Sequence, residues 1–410
     1  MHDRDLYATI LGIRAPWEVR EVQLPAAQAT VEVTVSLSVT AALACPECGE
    51  VSPRYDANSR RWRHLDTCQF KTFITADVPR VQCARHGIHQ VRVPWAESGS
   101  HFTALFESLV IDWLKDASIR AVARLMDLSW DEADGVMQRA VQRGLARRKL
   151  DPPTRIGIDE TSFAKRHEYV TVVSDLDSPT VIHVADDRKK ESLDGFYSGL
   201  SAEELARLDV VAMDMWEPYI RATMTHVPES ARKICFDRFH VAKHLGDAVN
   251  RIRAEEHREL RAQGDERLKG TRFLWLRGRE HLDERGWNRF EPLRDSNLKV
   301  ARAWAIKETA RDLWNFVRRG FAVRAWKKWL SWAMRSRLEP ILRVARMIRD
   351  HLEGIVNAIV DRVTSARAEG INAKIQWIKR LAFGFRNRER FKAAIYFHLG
   401  GLDLYPRTTS

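Results

Sequence analysis

After Asp151-Pro-Pro-Thr154 the chain changes character, and the order of apolar runs that follows restricts its fold more than any other feature. Three β-like runs, near 155–160, 169–176 and 180–185, precede a helical stretch near 191–206. Apolar runs at 209–214 and 232–237 then alternate with a short helical segment near 216–226. Short runs rich in β-branched residues and bounded by turn formers read as strands. Three of them carry an acid at the end: Ile156-Gly-Ile-Asp159, Val210-Val-Ala-Met-Asp214 and Ile234-Cys-Phe-Asp237.

Three antiparallel strands, a helix, then strands alternating with helices is the order of a ribonuclease H-like mixed sheet, here within a multidomain α/β chain. In that order the first and fourth strands are neighbours, so Asp159 and Asp214 converge at adjacent strand ends. Successive strand side chains point to opposite faces, which turns Glu160 away from Asp159. Asp186 and Asp187, followed by Arg188, Lys189 and Lys190, read as a charged loop. Asp237 ends the fifth strand and is the rival ligand. With His240 it is placed to orient phosphate or to support the metal carboxylates, whereas His244 is expected on a helix surface.

The third carboxylate lies far downstream. Between 361 and 379, Ile371, Ile375 and Ile378 form an apolar stripe, while Glu369, Asn372 and Gln376 fall on another face at helical spacing. Carboxylates so placed supply hard oxygen ligands for a pair of divalent cations, the arrangement that hydrolyses or transfers phosphodiesters. Two Mg²⁺ ions are expected at Asp159, Asp214 and Glu369, with Mn²⁺ an acceptable substitute.

Charge points to the same kind of substrate. Residues 251–410 hold 36 Lys and Arg against 19 Asp and Glu, so this part is near +17 and the first 250 residues near −5. A one-sided excess of this size suits a polyanion. Residues 246–355 read as an all-helical insertion rich in Arg and Trp; Trp326 and Trp329 at helical spacing read as core, with stacking on an unpaired base as the alternative. Lys374, Lys379, Arg380, Arg386 and Arg388 extend a positive surface past Glu369, and Arg143, Arg147 and Arg148 are further candidates for DNA contact.

Upstream of the boundary, Cys45-Pro-Glu-Cys48-Gly49 and Cys83-Ala-Arg-His86-Gly87 are two knuckles. Each pair grips one ion while its glycine lets the backbone turn, and a closed thiolate and imidazole set favours one structural zinc. Cys68 and His89 are alternative ligands; otherwise Cys68 and Cys235 read as buried thiols. Residues 51–82 read as short β-like pieces with turns. A helix over 118–126, a turn near Asp127 to Ser129 and a second helix capped by Ser129 outline a helix-turn-helix, although the second helix opens on Asp131, Glu132 and Asp134.

The chain has 410 residues, enough for two or more domains. Its first residues lack the pattern of a secretory signal, no apolar stretch reaches spanning length, and five cysteines do not make a disulfide framework. A cytoplasmic protein associated with DNA, without membrane contact, is expected.

These residues resemble the DDE transposases of the ISL-three insertion-sequence family. The likeness runs from the first knuckle and Tyr55-Asp-Ala-Asn-Ser-Arg-Arg-Trp-Arg-His-Leu-Asp66 through Gly157-Ile-Asp-Glu-Thr-Ser-Phe163 and Asp214-Met-Trp-Glu-Pro-Tyr219. It continues in Phe236-Asp-Arg-Phe-His-Val-Ala-Lys-His244 and Ala368-Glu-Gly-Ile-Asn-Ala-Lys-Ile-Gln-Trp-Ile-Lys-Arg380. It implies that Asp159, Asp214 and Glu369 are the catalytic triad, with Asp237 and His240 in an accessory motif. It also implies cleavage at terminal inverted repeats, strand transfer into target DNA and a homo-oligomer of at least two subunits. The Cys83-x-x-His86 knuckle departs from an all-cysteine form of the motif. Expected domains are a zinc module at 1–100, a helix-turn-helix at 101–150, a catalytic core at 151–245 and 356–400 around the insertion, and a tail at 401–410. A non-catalytic regulator derived from a transposase and a structure-specific nuclease of the same fold are the alternatives.

Overall fold

A computed structural model describes residues 2–149, 151–164, 168–363 and 366–407. They form two compact units, one of residues up to 149 with 380–384 and 389 onward, the other of residues 150–379 with 385–388.

In the first unit, helix α1 (Asp3–Leu11) precedes strands β1 (Trp17–Gln23), β2 (Thr30–Leu37), β3 (Arg54–Arg63), β4 (Lys71–Cys83) and β5 (Gly87–Gln90). The sheet order is β1-β2-β4-β3, with β5 also on β4. Val31, Val33 and Val35 alternate inward from β2 and meet Ile74, Ala76 and Val78 of β4. Trp95 packs edge-on against Trp17 and Trp62, with centroids 4.9 and 5.5 Å away. Residues 51–82 are therefore two long strands rather than short pieces. The Asp, Asn and Ser of β3 look like turn formers, yet antiparallel pairing with β4 overrides that propensity.

Helices α2 (Ala104–Asp116), α3 (Ile119–Leu125) and α4 (Trp130–Arg147) follow. Thr103, Ser118 and Ser129 cap their starts through side-chain oxygens, and Ser129 with Glu132 completes a capping box. Asp127, at φ 51°, makes the turn between α3 and α4.

The second unit opens with β6 (Arg155–Ala164), β7 (Glu168–Asp175) and β8 (Thr180–Asp186), then α5 (Lys190–Ser198), α6 (Ala202–Arg207), β9 (Val210–Met213), α7 (Glu217–His226), α8 (Ser230–Lys233) and β10 (Ile234–Phe236). Gly199 to Ser201 split the expected helix at 191–206 in two, and Ser201 caps α6. The sheet order is β10-β9-β6-β7-β8, antiparallel on the β7 and β8 side and parallel through β9 and β10. All residues of β9 and β10 are buried, as parallel strands covered on both faces require.

From there to residue 360 the described elements are helical: α9 (Arg238–Ala262), α10 (Arg272–Leu276), α11 (Glu284–Arg294), α12 (Lys299–Asp312), α13 (Arg319–Met334), α14 (Glu339–Asp350) and α15 (Leu352–Val360). Their core is continuous with that of the sheet, and Trp326 and Trp329 lie inside it, which excludes them as exposed stacking platforms. Gly354 lets α15 approach β10: a Cβ there would sit 2.5 Å from the Phe236 ring. Asn357 fixes the contact by donating to Ala231 O and Ile234 O, both at 2.9 Å.

Two helices end the chain, α16 (Ala366–Leu381) and α17 (Arg388–Leu399). α17 from Glu389 and the tail pack with the first unit. Within that unit Leu402 packs against Gly144 of α4, and Tyr405 reaches Asp112 and Lys115 of α2.

Candidate metal cluster and carboxylate centre

The two knuckles of the first unit meet. Sγ of Cys45, Cys48 and Cys83 and a ring nitrogen of His86 all lie within 4.8 Å of one another. Cys48 Sγ is 3.7 Å from Cys83 Sγ, and His86 Nδ1 is 3.6 and 3.8 Å from Cys83 and Cys45 Sγ. Tetrahedral zinc, with bonds of about 2.3 Å to sulfur and about 2.0 Å to nitrogen, requires roughly 3.8 Å between sulfurs and 3.6 Å between sulfur and nitrogen. These three separations match what zinc requires. Backbone N–H groups of Arg85 and His86 hold the Cys83 thiol down to about 6. The cluster includes neither alternative: His89 Nε2 is 2.7 Å from His86 O, and Cys68, expected to be buried, is exposed. Cys235 is buried as expected, which pushes its thiol up.

In the second unit, strand register places the aspartates. Gly157 of β6 pairs with Ala212 of parallel β9, so Asp159 and Asp214 stand level two residues further on. Met213 pairs with Phe236 of β10, which brings Asp237 to the same level as Asp214. Adjacent strands are about 4.8 Å apart, and residues in register on parallel strands share a face. Three carboxylates thus line the C-terminal edge of the parallel strands, where open α/β sheets bind ligands.

Their surroundings differ. Asp159 accepts from Glu160 N at 2.7 Å and from Asn372 Nδ2 at 2.5 Å. Burial pushes its carboxyl up, and the neighbouring Asp214 adds to the shift. Asp237 is raised by burial, then by Asp159 and Glu369, and caps α9 by accepting from Phe239 N at 2.8 Å. His240, one turn into α9, holds Nδ1 3.4 Å from Asp214 Oδ2. Glu369 is exposed on α16, close enough to Asp237 to act on its charge. Mutually repelling, partly desolvated carboxylates, offset in part by His240, are a donor set suited to hard divalent metals.

α16 is laced to β6. Asn372 bonds Asp159, Gln376 Nε2 donates to Thr161 Oγ1 at 3.4 Å, and Lys379 Nζ donates to Ser162 O at 2.7 Å. Ile371, Ile375 and Ile378 fill the buried face, as their spacing requires. Glu160 turns away from Asp159 to pair with Arg188 at 3.3 Å, and His244 is exposed.

Several expected DNA contacts have partners within the chain. Arg143 is buried: its guanidinium lies 2.5 Å from Glu97 and 2.9 Å from Glu107, and it donates to Leu404 O at 2.5 Å, leaving no fork for a phosphate. Its position seven residues after buried Val136 and three after buried Ala140 was the available signal. Arg147 is partly covered, 3.5 Å from Glu97 and from Asp403. Arg148 is half-buried, Lys379 is spent on β6, and Arg388 lies between Glu168, Asp186 and Asp187 at 3.6, 3.9 and 3.9 Å. Lys374, Arg380 and Arg386 remain exposed. On α4, Asp134 is buried and paired with Arg390 at 3.0 Å, and the Arg390 guanidinium lies 4.5 Å from the Trp130 ring, which offsets part of the acidic start that sequence alone presents.

Comparison with known proteins matches three segments. Residues 156–395 match a DDE family described as transposase, residues 42–86 the zinc-finger of transposase IS204/IS1001/IS1096/IS1165, and residues 91–141 the helix-turn-helix domain of transposase family ISL3. The transposase for insertion sequence element IS1557 of Mycobacterium tuberculosis is 30% identical over 385 residues, 87% of this chain and 86% of that one. The transposase for insertion sequence element IS1001 of Bordetella parapertussis is 26% identical over 352 residues, 85% of this chain and 86% of that one.

Proposed function

Because this chain belongs to the ISL3 transposase family and is a DNA transposase, we propose that it binds the terminal inverted repeats of an insertion sequence, cleaves there and joins the strand to target DNA at Asp159, Asp214 and Glu369. The observation that carries the reading is the register that sets Asp159 and Asp214 level on adjacent parallel strands, with Asn372 of the Glu369 helix bonded to Asp159. The order β10-β9-β6-β7-β8 supports a ribonuclease H-like core.

Asp159, Asp214 and Glu369 would hold two divalent cations, Mg²⁺ or Mn²⁺, which supply activation of the attacking oxygen and neutralisation of the leaving one. Asn372 fixes the Asp159 carboxylate, and His240 orients Asp214 from the side of α9. Asp237 is both cap and neighbour to the centre, placed to support the ligand carboxylates or to replace one of them. Displacement is direct, without a covalent protein intermediate. Cys45, Cys48, Cys83 and His86 hold a structural zinc, which four protein ligands close to substrate. α3 and α4 with the exposed Lys374, Arg380 and Arg386 bind duplex DNA, and the working form is at least a dimer, cytoplasmic and on DNA.

The test is product analysis with duplexes carrying the inverted repeats that flank the coding region. Mg²⁺-dependent 3′-hydroxyl ends and joined products are expected. Cleavage without joining would assign the chain to the nuclease class, and binding without either would assign it to the regulator class.

A further inference from the structure

The second unit carries an aromatic groove lined by cations, on the sheet face away from Asp159, that no step above uses. Glu160 is opposite Thr171 across the β6–β7 pair, so Glu160, Thr171 and Tyr169 share the sheet face away from Asp159. Over this face the Arg188 guanidinium lies 4.6 Å from the Tyr169 ring and 4.6 Å from the Trp216 ring, with Nη1 3.3 Å from Glu160. Trp216 Nε1 donates to Arg188 O at 2.9 Å, and Thr171 Oγ1 donates to Asp187 O at 2.6 Å. These bonds tie the segment before α5 to the segment before α7.

The groove they frame has a volume of 600 Å³, inside the range of roughly 300–1,000 Å³ typical of ligand sites. Its lining includes Arg188, Lys189, Lys190 and Arg221, each paired with an acid: Arg188 with Glu160 at 3.3 Å, Lys190 with Asp194 at 2.8 Å, Lys189 with Asp187 at 3.5 Å and Arg221 with Glu217 at 2.7 Å, and the last two pairs are exposed enough to exchange their carboxylate for a phosphate. Trp216 is 36% exposed and lies two residues beyond Asp214, while Glu160 adjoins Asp159. An aromatic face among cations, with room for one nucleotide, recognises an unpaired base with its phosphates. A duplex base has both faces covered by its neighbours and offers none to such a wall.

We infer that this groove binds an unpaired nucleotide of the DNA strand, stacking its base on Trp216 and placing its phosphates against Lys189 and Arg221. The inference rests on the transposase reading for the identity of the strand. Its test is independent of cleavage.

The probes are a fluorescent oligo(dT) of about twelve nucleotides and a hairpin duplex of matching length, titrated onto the full chain with fluorescence anisotropy. Trp216→Ala is expected to weaken oligo(dT) binding by about tenfold and duplex binding by less than about twofold, while Trp216→Phe retains most of the single-strand affinity. Lys189 and Arg221 side chains are 71% and 68% exposed, so replacing both with Ala should not disturb folding. That pair should reduce the salt slope for oligo(dT) by about 1.4. Oligo(dT) carrying 5-iododeoxyuridine should photocrosslink to Trp216 or Tyr169. Unchanged oligo(dT) affinity in Trp216→Ala, equal loss for both probes, or crosslinks confined to other residues would overturn the inference. Asp159→Asn should leave oligo(dT) binding intact, so failure of the carboxylate assignment reads out separately as retained cleavage in that variant.

Discussion

The Cys/His cluster of the first unit and the carboxylate centre of the second are assembled by opposite means. The cluster draws four soft ligands from two short knuckles, and its atoms already lie within 4.8 Å of one another. The centre draws hard oxygens from β6, β9 and the distant α16, and its geometry depends on strand register and on the bonds that lace α16 to β6. Local spacing fixes the first site and closes it. Long-range topology assembles the second and leaves it open to substrate. One should govern folding, the other turnover.

The largest effect that tests this division is loss of zinc. Cys45→Ser with Cys48→Ser should abolish stoichiometric zinc and unfold the first unit's sheet, since structural zinc contributes on the order of 10 kcal/mol. Metal analysis with circular dichroism reads both, and full zinc retention would break the ligand assignment. Next comes Asp159→Asn, expected to lower strand cleavage by about 10³-fold or more, some 4 kcal/mol, while zinc content and end binding hold.

Acid sharpens the comparison within the first unit. His64 is 4% exposed, with Nδ1 2.9 Å from Thr103 Oγ1, and burial lowers its pKa to about 4. The unfolded imidazole takes a proton near pH 6.5 and the folded one does not, so stability is lost as pH falls from 6.5 towards 4, by up to about 3 kcal/mol. His64→Gln should flatten that dependence in chemical denaturation, and an unchanged slope would assign the acid loss to the zinc ligands. The smallest effect expected is Asn372→Ala: about 10- to 100-fold lower cleavage at low Mg²⁺, partly restored by raising it. Equal loss at every Mg²⁺ concentration would mean that Asn372 does more than hold Asp159.

The same contrast explains what the sequence made legible. Knuckles, the cap at Ser129, and the apolar runs that carry Asp159 and Asp214 are local patterns, and the structure forms each one, with β6 running on past Asp159 to Ala164. Arg143 is different: its charge suggests a phosphate contact, while its partners Glu97, Glu107 and Leu404 O come from elsewhere in the chain. β3 was misread because only its pairing with β4 makes its polar residues a strand. The return of α17 to the first unit, and the three aspartates standing level, are facts of topology that no short window carries.

The central claim is that Glu369 completes the centre with Asp159 and Asp214, and the most direct test is Mg²⁺-dependent cleavage of a plasmid bearing the flanking inverted repeats by Glu369→Gln beside Asp237→Asn. The account predicts that Glu369→Gln loses cleavage by about 10³-fold with DNA binding intact, while Asp237→Asn retains measurable activity. Cleavage retained by Glu369→Gln and lost by Asp237→Asn would contradict it and make Asp237 the third ligand.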